Sequence, residues 1–204
     1  MKNITKYFTS LFLTVFLIMT GAAQEKSFKI SELRTQCDVL LKQKKQKDFE
    51  GLVTKAINSG NLQEEECREL MNRWAGSLYW TNRYRKSLEL LQAATRLKAE
   101  KHGNVYYQTY GMMAGLWNQR LGKPEAAITI LDDILNVQGI HPANRYSGYM
   151  TQGAAYEKLG MLEKALECYK QALVFGKKIT YKTSYAGAEK KIRELTDKLK
   201  NSSR

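Results

Sequence analysis

Carboxylate clusters, two histidines and three cysteines are the residues of this chain whose types and spacing suggest chemistry. Asp132-Asp133 and Glu64-Glu65-Glu66 place carboxylates side by side. A general acid–base pair must converge on one substrate, but adjacent residues on a helix point in different directions. Glu64 to Glu66 fits the start of a helix better, where the helix dipole favours negative charge. His102 and His141 fall in expected loops, without a metal-ligand partner. Cys168 lies among Ala165, Leu166 and Tyr169 and reads as a buried thiol. Cys37 and Cys67 begin adjacent helices, and a bond between them depends on a Cα separation that spacing does not supply. In an oxidising compartment an odd count leaves at least one thiol free or bonded to another molecule. There is no Gly-rich phosphate loop, and Gly111-x-x-x-Gly115 suits helix packing. These residues point away from an enzyme, a metal site or a cofactor, and toward a binding protein.

At 204 residues, 43% apolar and 26% charged, the chain is one domain or one elongated array with a sizeable core. Lys2 and Lys6 precede a mostly apolar run from Tyr7 to Met19, then Thr20-Gly21-Ala22-Ala23. That is the layout of a secretory signal over residues 1–23, cleaved between Ala23 and Gln24. An uncleaved anchor is the alternative, although the run is shorter than the ~20 residues of a comfortable span. No other stretch is apolar enough to cross a bilayer, so none is expected after cleavage. The expected location is the periplasm or cell envelope, or outside the cell.

The net charge is +13, and it is unevenly placed. Lys42, Lys44, Lys45 and Lys47 form one run, and residues 177–204 carry nine basic against three acidic residues. An intracellular chain of this kind would suggest nucleic acid. For an exported one the matching partners are anionic envelope polymers, lipid headgroups or acidic proteins, and no nucleic acid is expected. Solvated helix faces give the same lysine pattern.

The elements that position these residues emerge from an internal repeat. Ser87, Ala127 and Ala165 occupy equivalent places, 40 and 38 residues apart. In the last unit Tyr146, Tyr149, Met150, Gly153 and Tyr156 trace one helix face, and Leu162, Ala165, Leu166, Tyr169, Ala172 and Leu173 a second. Gly160 lies between them, with Gly122 and Asn82 at the same point of earlier units. Gly and Asn accept the left-handed conformation that ends a helix, and Pro124 then suits the first turn of the next. Small residues at Gly115, Gly153, Ala127 and Ala165 are expected to let paired helices approach.

Tyr149, Gly153, Tyr156, Ala165 and Tyr169 resemble the tetratricopeptide repeat family. Gln152 stands where that pattern has Leu, the closing Pro is missing, and the spacing exceeds the usual ~34 residues. The resemblance implies an all-α, right-handed solenoid of antiparallel helix pairs. Its units would be 68–101, 108–141 and 146–179, after a degenerate leading pair at 28–60 with helices Ile30–Lys44 and Asp48–Asn58. Tyr185, Ala188, Ile192, Leu195 and Leu199 form the single stripe of a capping helix over 182–200, with a basic tail to Arg204.

In this family the first helix of each pair lines a concave groove that binds protein or peptide. Position by position, the resemblance places Asn72, Arg73, Tyr79, Trp80, Thr109, Met112, Met113, Leu116, Gln119, Arg120, Met150 and Lys158 there. Thr151 and Glu157 fall at further groove positions. The expected anchor is Met112, Met113 and Leu116, bordered by Trp80 and ringed by Arg73 and Arg120. Ser147 and Thr151 replace the basic residues of a carboxylate clamp, so no such clamp is expected.

Overall fold

The computed structural model describes residues 29–97, 104–179 and 185–202. The expected signal segment, His102, residues 182–184 and Arg204 lie outside them. Among the described residues there are nine helices and no strand: α1 Ile30–Lys42, α2 Gln46–Asn58, α3 Glu64–Trp80, α4 Tyr84–Ala94, α5 Asn104–Gln119, α6 Pro124–Leu135, α7 Pro142–Lys158, α8 Leu162–Gly176 and α9 Ala186–Ser202. No helix among them is long and apolar enough to cross a membrane.

Four of the connections share one backbone device. Lys44, Asn82, Gly122 and Gly160 have φ of 57°, 60°, 62° and 73°. Each breaks a first helix in the left-handed region, which lets the following N–H reach back and satisfy an orphan carbonyl. Lys45 donates to Leu40 O at 2.9 Å, Arg83 to Leu78 O at 2.9 Å and Met161 to Tyr156 O at 3.0 Å. Lys123 reaches one residue further, to Trp117 O at 2.8 Å. The leading pair α1–α2 therefore closes by the same turn as the other three. Lys44, which belongs to the basic run, is its turn residue.

Paired helices pack as α1–α2, α3–α4, α5–α6 and α7–α8, and successive first helices also touch, α3 on α5 and α5 on α7. The second helix of each pair leans on the first of the next, and α9 lies against α8. This is an all-α solenoid with two helix layers. The first helices α3, α5 and α7 run 17, 16 and 17 residues. Each starts four residues before the expected unit boundary, and this is where residues beyond the usual repeat length go.

Helix starts follow sequence chemistry. Glu66 Oε2 accepts the Gln63 N–H at 2.9 Å, so the acidic triplet begins α3. Pro124 and Pro142 occupy the first turns of α6 and α7. His141 Nδ1 accepts from the Ala143 N–H at 3.2 Å, which makes this histidine a cap.

Each interface has its own buried cluster. Leu33, Cys37, Phe49, Val53, Ala56 and Leu70 join α1, α2 and α3. Tyr107, Ala114, Ala127, Leu131, Ile134, Leu135 and Ile140 fill the third unit. Close approach is set by particular glycines: a Cβ on Gly153 would lie 2.8 Å from the Tyr169 ring. Gly115 departs from the expectation, since nothing lies within 4 Å of its would-be Cβ. The tight place in that region is Gly148, where a Cβ would meet Tyr107 Oη at 2.5 Å and Leu135 Cδ2 at 2.6 Å.

Glu50 joins the first two units by pairing with Arg83 at 2.5 Å and Lys86 at 3.7 Å. Burial pushes its pKa up, but hydrogen bonds from Gln46 and Arg83 and the two cationic charges outweigh this and leave it below its usual 4.5. A depressed carboxyl stabilises the fold above its unfolded pKa, and that stability is lost as pH falls through the folded value. Glu50→Gln is therefore expected to lower stability at pH 7 and to flatten the decline below about pH 4.5. Urea unfolding midpoints at pH 7 and pH 3.5 check this.

Candidate binding groove

The first helices form one layer, and its exposed face changes character along the array. Between α1 and α3 it is ionic. Arg34 pairs with Glu69 at 2.5 Å, and Arg73 pairs with Asp38 at 2.7 Å and Glu69 at 3.3 Å. The side chains are part-exposed, so each pair adds little stability. Together they cross-link the two helices and use up the charge of Arg73.

Between α3 and α5 the face becomes aromatic. The Arg120 guanidinium lies 5.2 Å from the Tyr79 ring and 5.4 Å from Tyr84. Arg120 Nε donates to Tyr79 Oη at 3.1 Å, and Tyr79 in turn donates to Gln119 Oε1 at 3.2 Å. Tyr84 donates to Asn82 Oδ1 at 2.5 Å. Trp80 stands edge-on to Tyr79, with centroids 5.4 Å apart, and is 81% exposed. Met112 lies beside Gly76, its Cε 3.7 Å from where a Cβ would be. This planar cation held between phenol rings, with an open indole beside it, is the most concentrated recognition chemistry on this face.

The groove residues expected from the sequence divide into two groups. Tyr79, Trp80, Met112, Gln119 and Arg120 come together as just described. Lys158 is also exposed, and its ammonium donates to Asn118 O, tying α7 to α5. The other residues are already occupied. Asn72 and Thr109 are buried against each other: Thr109 Oγ1 donates to Asn72 Oδ1 at 3.0 Å, and Asn72 Nδ2 to Val105 O at 3.2 Å. They latch α3 to α5. Met113 and Leu116 pack with Ala75 and Leu91 and are 4% and 1% exposed. The three-residue anchor expected at mid-array thus reduces to Met112. The reason is that α5 touches α3, α4, α6 and α7, so most of its surface is covered and its apolar residues fill those contacts. Met150 is half-buried in the cluster that α9 closes. Arg73 is held in ion pairs rather than ringing the anchor.

Arg34, Asp38, Glu69 and Tyr84 were not singled out from sequence. The usable signal is that Arg34 and Asp38 stand in α1 where Asn72 and Gly76 stand in α3, counted back from the shared turn. All three thiols are free. Burial raises the pKa of Cys37 and of Cys67, and pushes Cys168 up to about 11. Among the described residues no group of three or more His, Cys, Asp or Glu is placed to hold a metal. Asp132 accepts from Gln152 at 2.5 Å, which gives one member of the Asp132-Asp133 cluster a structural partner.

Residues 146–175, covering most of α7 and α8, match the profile described as Tetratricopeptide repeat. The fold is that of a tetratricopeptide-like helical-repeat solenoid. BtubC (BKLC) from P. vanneervenii superposes with a TM-score of 0.66 at 17% identity, over 84% of this chain and 78% of that one. A putative kinesin light chain from Podospora anserina with nearly identical TPR-like repeats gives 0.64 at 16% identity, over 86% and 90%. Bacillus thuringiensis PlcR, solved in complex with the peptide PapR7 and DNA, gives 0.60 at 16% identity, over 84% of this chain and 63% of that protein. At these identities the likeness is one of fold. No curated protein matches the sequence.

Proposed function

We propose that this tetratricopeptide solenoid is an exported, non-enzymatic scaffold that binds a protein or peptide segment along the face of its first helices. Arg120 held between Tyr79 and Tyr84 beside the open Trp80 carries this reading. Binding energy concentrates on Tyr, Trp and Arg anchors surrounded by weaker contacts. Met112 supplies an adaptable apolar floor, and the ion pairs of the α1–α3 end give one margin of fixed charge. PlcR, a protein of the same fold, has been solved with a peptide, which agrees with this use. The layout of residues 1–23, a basic start, an apolar run and small residues, supports the export part of this reading.

Peptides selected from a random display library against the purified chain test the reading. Arg120→Ala, at an exposed position, is expected to leave the melting temperature unchanged and to raise Kd by about tenfold or more. Replacing Lys42, Lys44, Lys45 and Lys47 with Gln is expected to leave Kd within about threefold, with only a slower on-rate at low salt. The opposite ranking of the two variants refutes the groove.

A further inference from the structure

The fold collects charge that is scattered along the sequence. The four left-handed turn residues, Lys44, Asn82, Gly122 and Gly160, end successive first helices. Because those helices stack side by side, their turns fall along one edge of the solenoid. Taking each turn from two residues before to six after, the four stretches hold eleven Lys or Arg and four Asp or Glu. More than half of the net +13 of the whole chain therefore lies at this edge.

Much of that charge is unspent. Lys42, Lys44, Lys45 and Lys47 are all exposed and form no ion pair among the described residues. Of the four acids, Glu50 is already matched by Arg83 and Lys86. Only four large apolar side chains are exposed among the described residues, and two of them, Trp80 at 81% and Met161 at 43%, lie within two residues of these turns.

We propose that this turn edge docks the protein on a bilayer whose leaflet carries anionic headgroups. Lysines held near such a surface are attracted by its potential, each worth roughly a fivefold change in partition. Trp prefers the headgroup level, where its ring meets hydrocarbon and its N–H meets water. A soluble polyanion would satisfy the lysines but would leave Trp80 and Met161 in water, whereas the headgroup level of a bilayer takes up the cations and both apolar tips together. The inference goes beyond the groove reading and shares Trp80 and Arg120 with it. Docked by its edge, the solenoid turns Trp80 to the headgroups and leaves Met112 and the rest of the first-helix face open.

The test compares the full chain with its variant Lys42→Gln, Lys44→Gln, Lys45→Gln, Lys47→Gln on vesicles of phosphatidylcholine with about one third phosphatidylglycerol. Both proteins carry the same apolar run at residues 7–19, so a difference between them reports the edge. Partition of the parent is expected to exceed that of the variant by about 600-fold, four charges at roughly fivefold each, and raised salt should remove most of the difference. Brominated acyl chains are expected to quench part of the parent's tryptophan fluorescence, and Trp80→Phe should abolish that part. Equal partition of parent and variant overturns the proposal. So does lysine-dependent binding to soluble polyphosphate without quenching of Trp80 by brominated lipid, which would assign the edge to a polymer. Met112→Ala, which alters the groove without removing an edge cation, is expected to retain at least half of the parent's partition on the same vesicles, and abolished vesicle binding in that variant would place the contact on the groove instead.

Discussion

A chain that ends at residue 181 is expected to lose at least ~3 kcal/mol of stability and to aggregate at concentrations where the parent stays monomeric. An open solenoid exposes the apolar face of its last unit unless something covers it. Here α9 does so: Ala188 and Leu195 are 0% and 2% exposed, and Leu195 packs on Ala165 and Tyr169 with Ile192 beside it. Lys191 adds an ion pair to Glu157 at 3.0 Å, and Tyr169 donates to the same carboxylate at 2.5 Å. Leu195→Ala should by itself cost ~2–4 kcal/mol, as buried leucine truncations do. Urea unfolding followed by circular dichroism reads both variants. A truncated chain with the parent's midpoint would show that α9 covers nothing that matters.

Two glycines one unit apart are expected to respond oppositely to alanine. Gly148→Ala forces a methyl into Tyr107 Oη and Leu135 Cδ2, both held in the third unit's core, and should cost ~1–3 kcal/mol. Gly115→Ala meets nothing within 4 Å and should instead stabilise its helix by up to ~1 kcal/mol. Thermal melts of the two variants against the parent decide the matter. Equal losses would mean that Gly115 is the close-approach glycine after all.

The architecture was legible where the chemistry of a residue is local. Gly122, Gly160 and Asn82 announce a left-handed turn by type, and Pro124 announces a helix start. Lys44 makes the same turn, but nothing about a lysine signals it; its own N–H and that of Lys45 close the turn on Leu41 O and Leu40 O. Arg68 shows the same limit. A long cation at the start of a unit reads as surface, yet it is 1% exposed, donates to Leu97 O and lies 5.1 Å from the Tyr106 ring. The site was legible in part for a related reason. A family position says which helix a residue belongs to and roughly which way it faces. How far neighbouring helices wrap that face depends on side-chain volumes several tens of residues away. Met112 and Met113 are adjacent, chemically identical and packed in the same cluster, and only the depth of burial, near-complete for Met113 and partial for Met112, separates the groove residue from the core residue.

The distinction between those two methionines also provides the most direct test of the groove. With methionine methyl groups labelled with carbon-13, each Cε reports its own surroundings in a two-dimensional spectrum. Adding a library-selected peptide is expected to shift the Met112 signal strongly, through direct contact. Met113 should shift weakly through its neighbour, and Met161, at the turn edge, should not move. A peptide that binds and moves Met161 while leaving Met112 unchanged would contradict the assignment of the binding face.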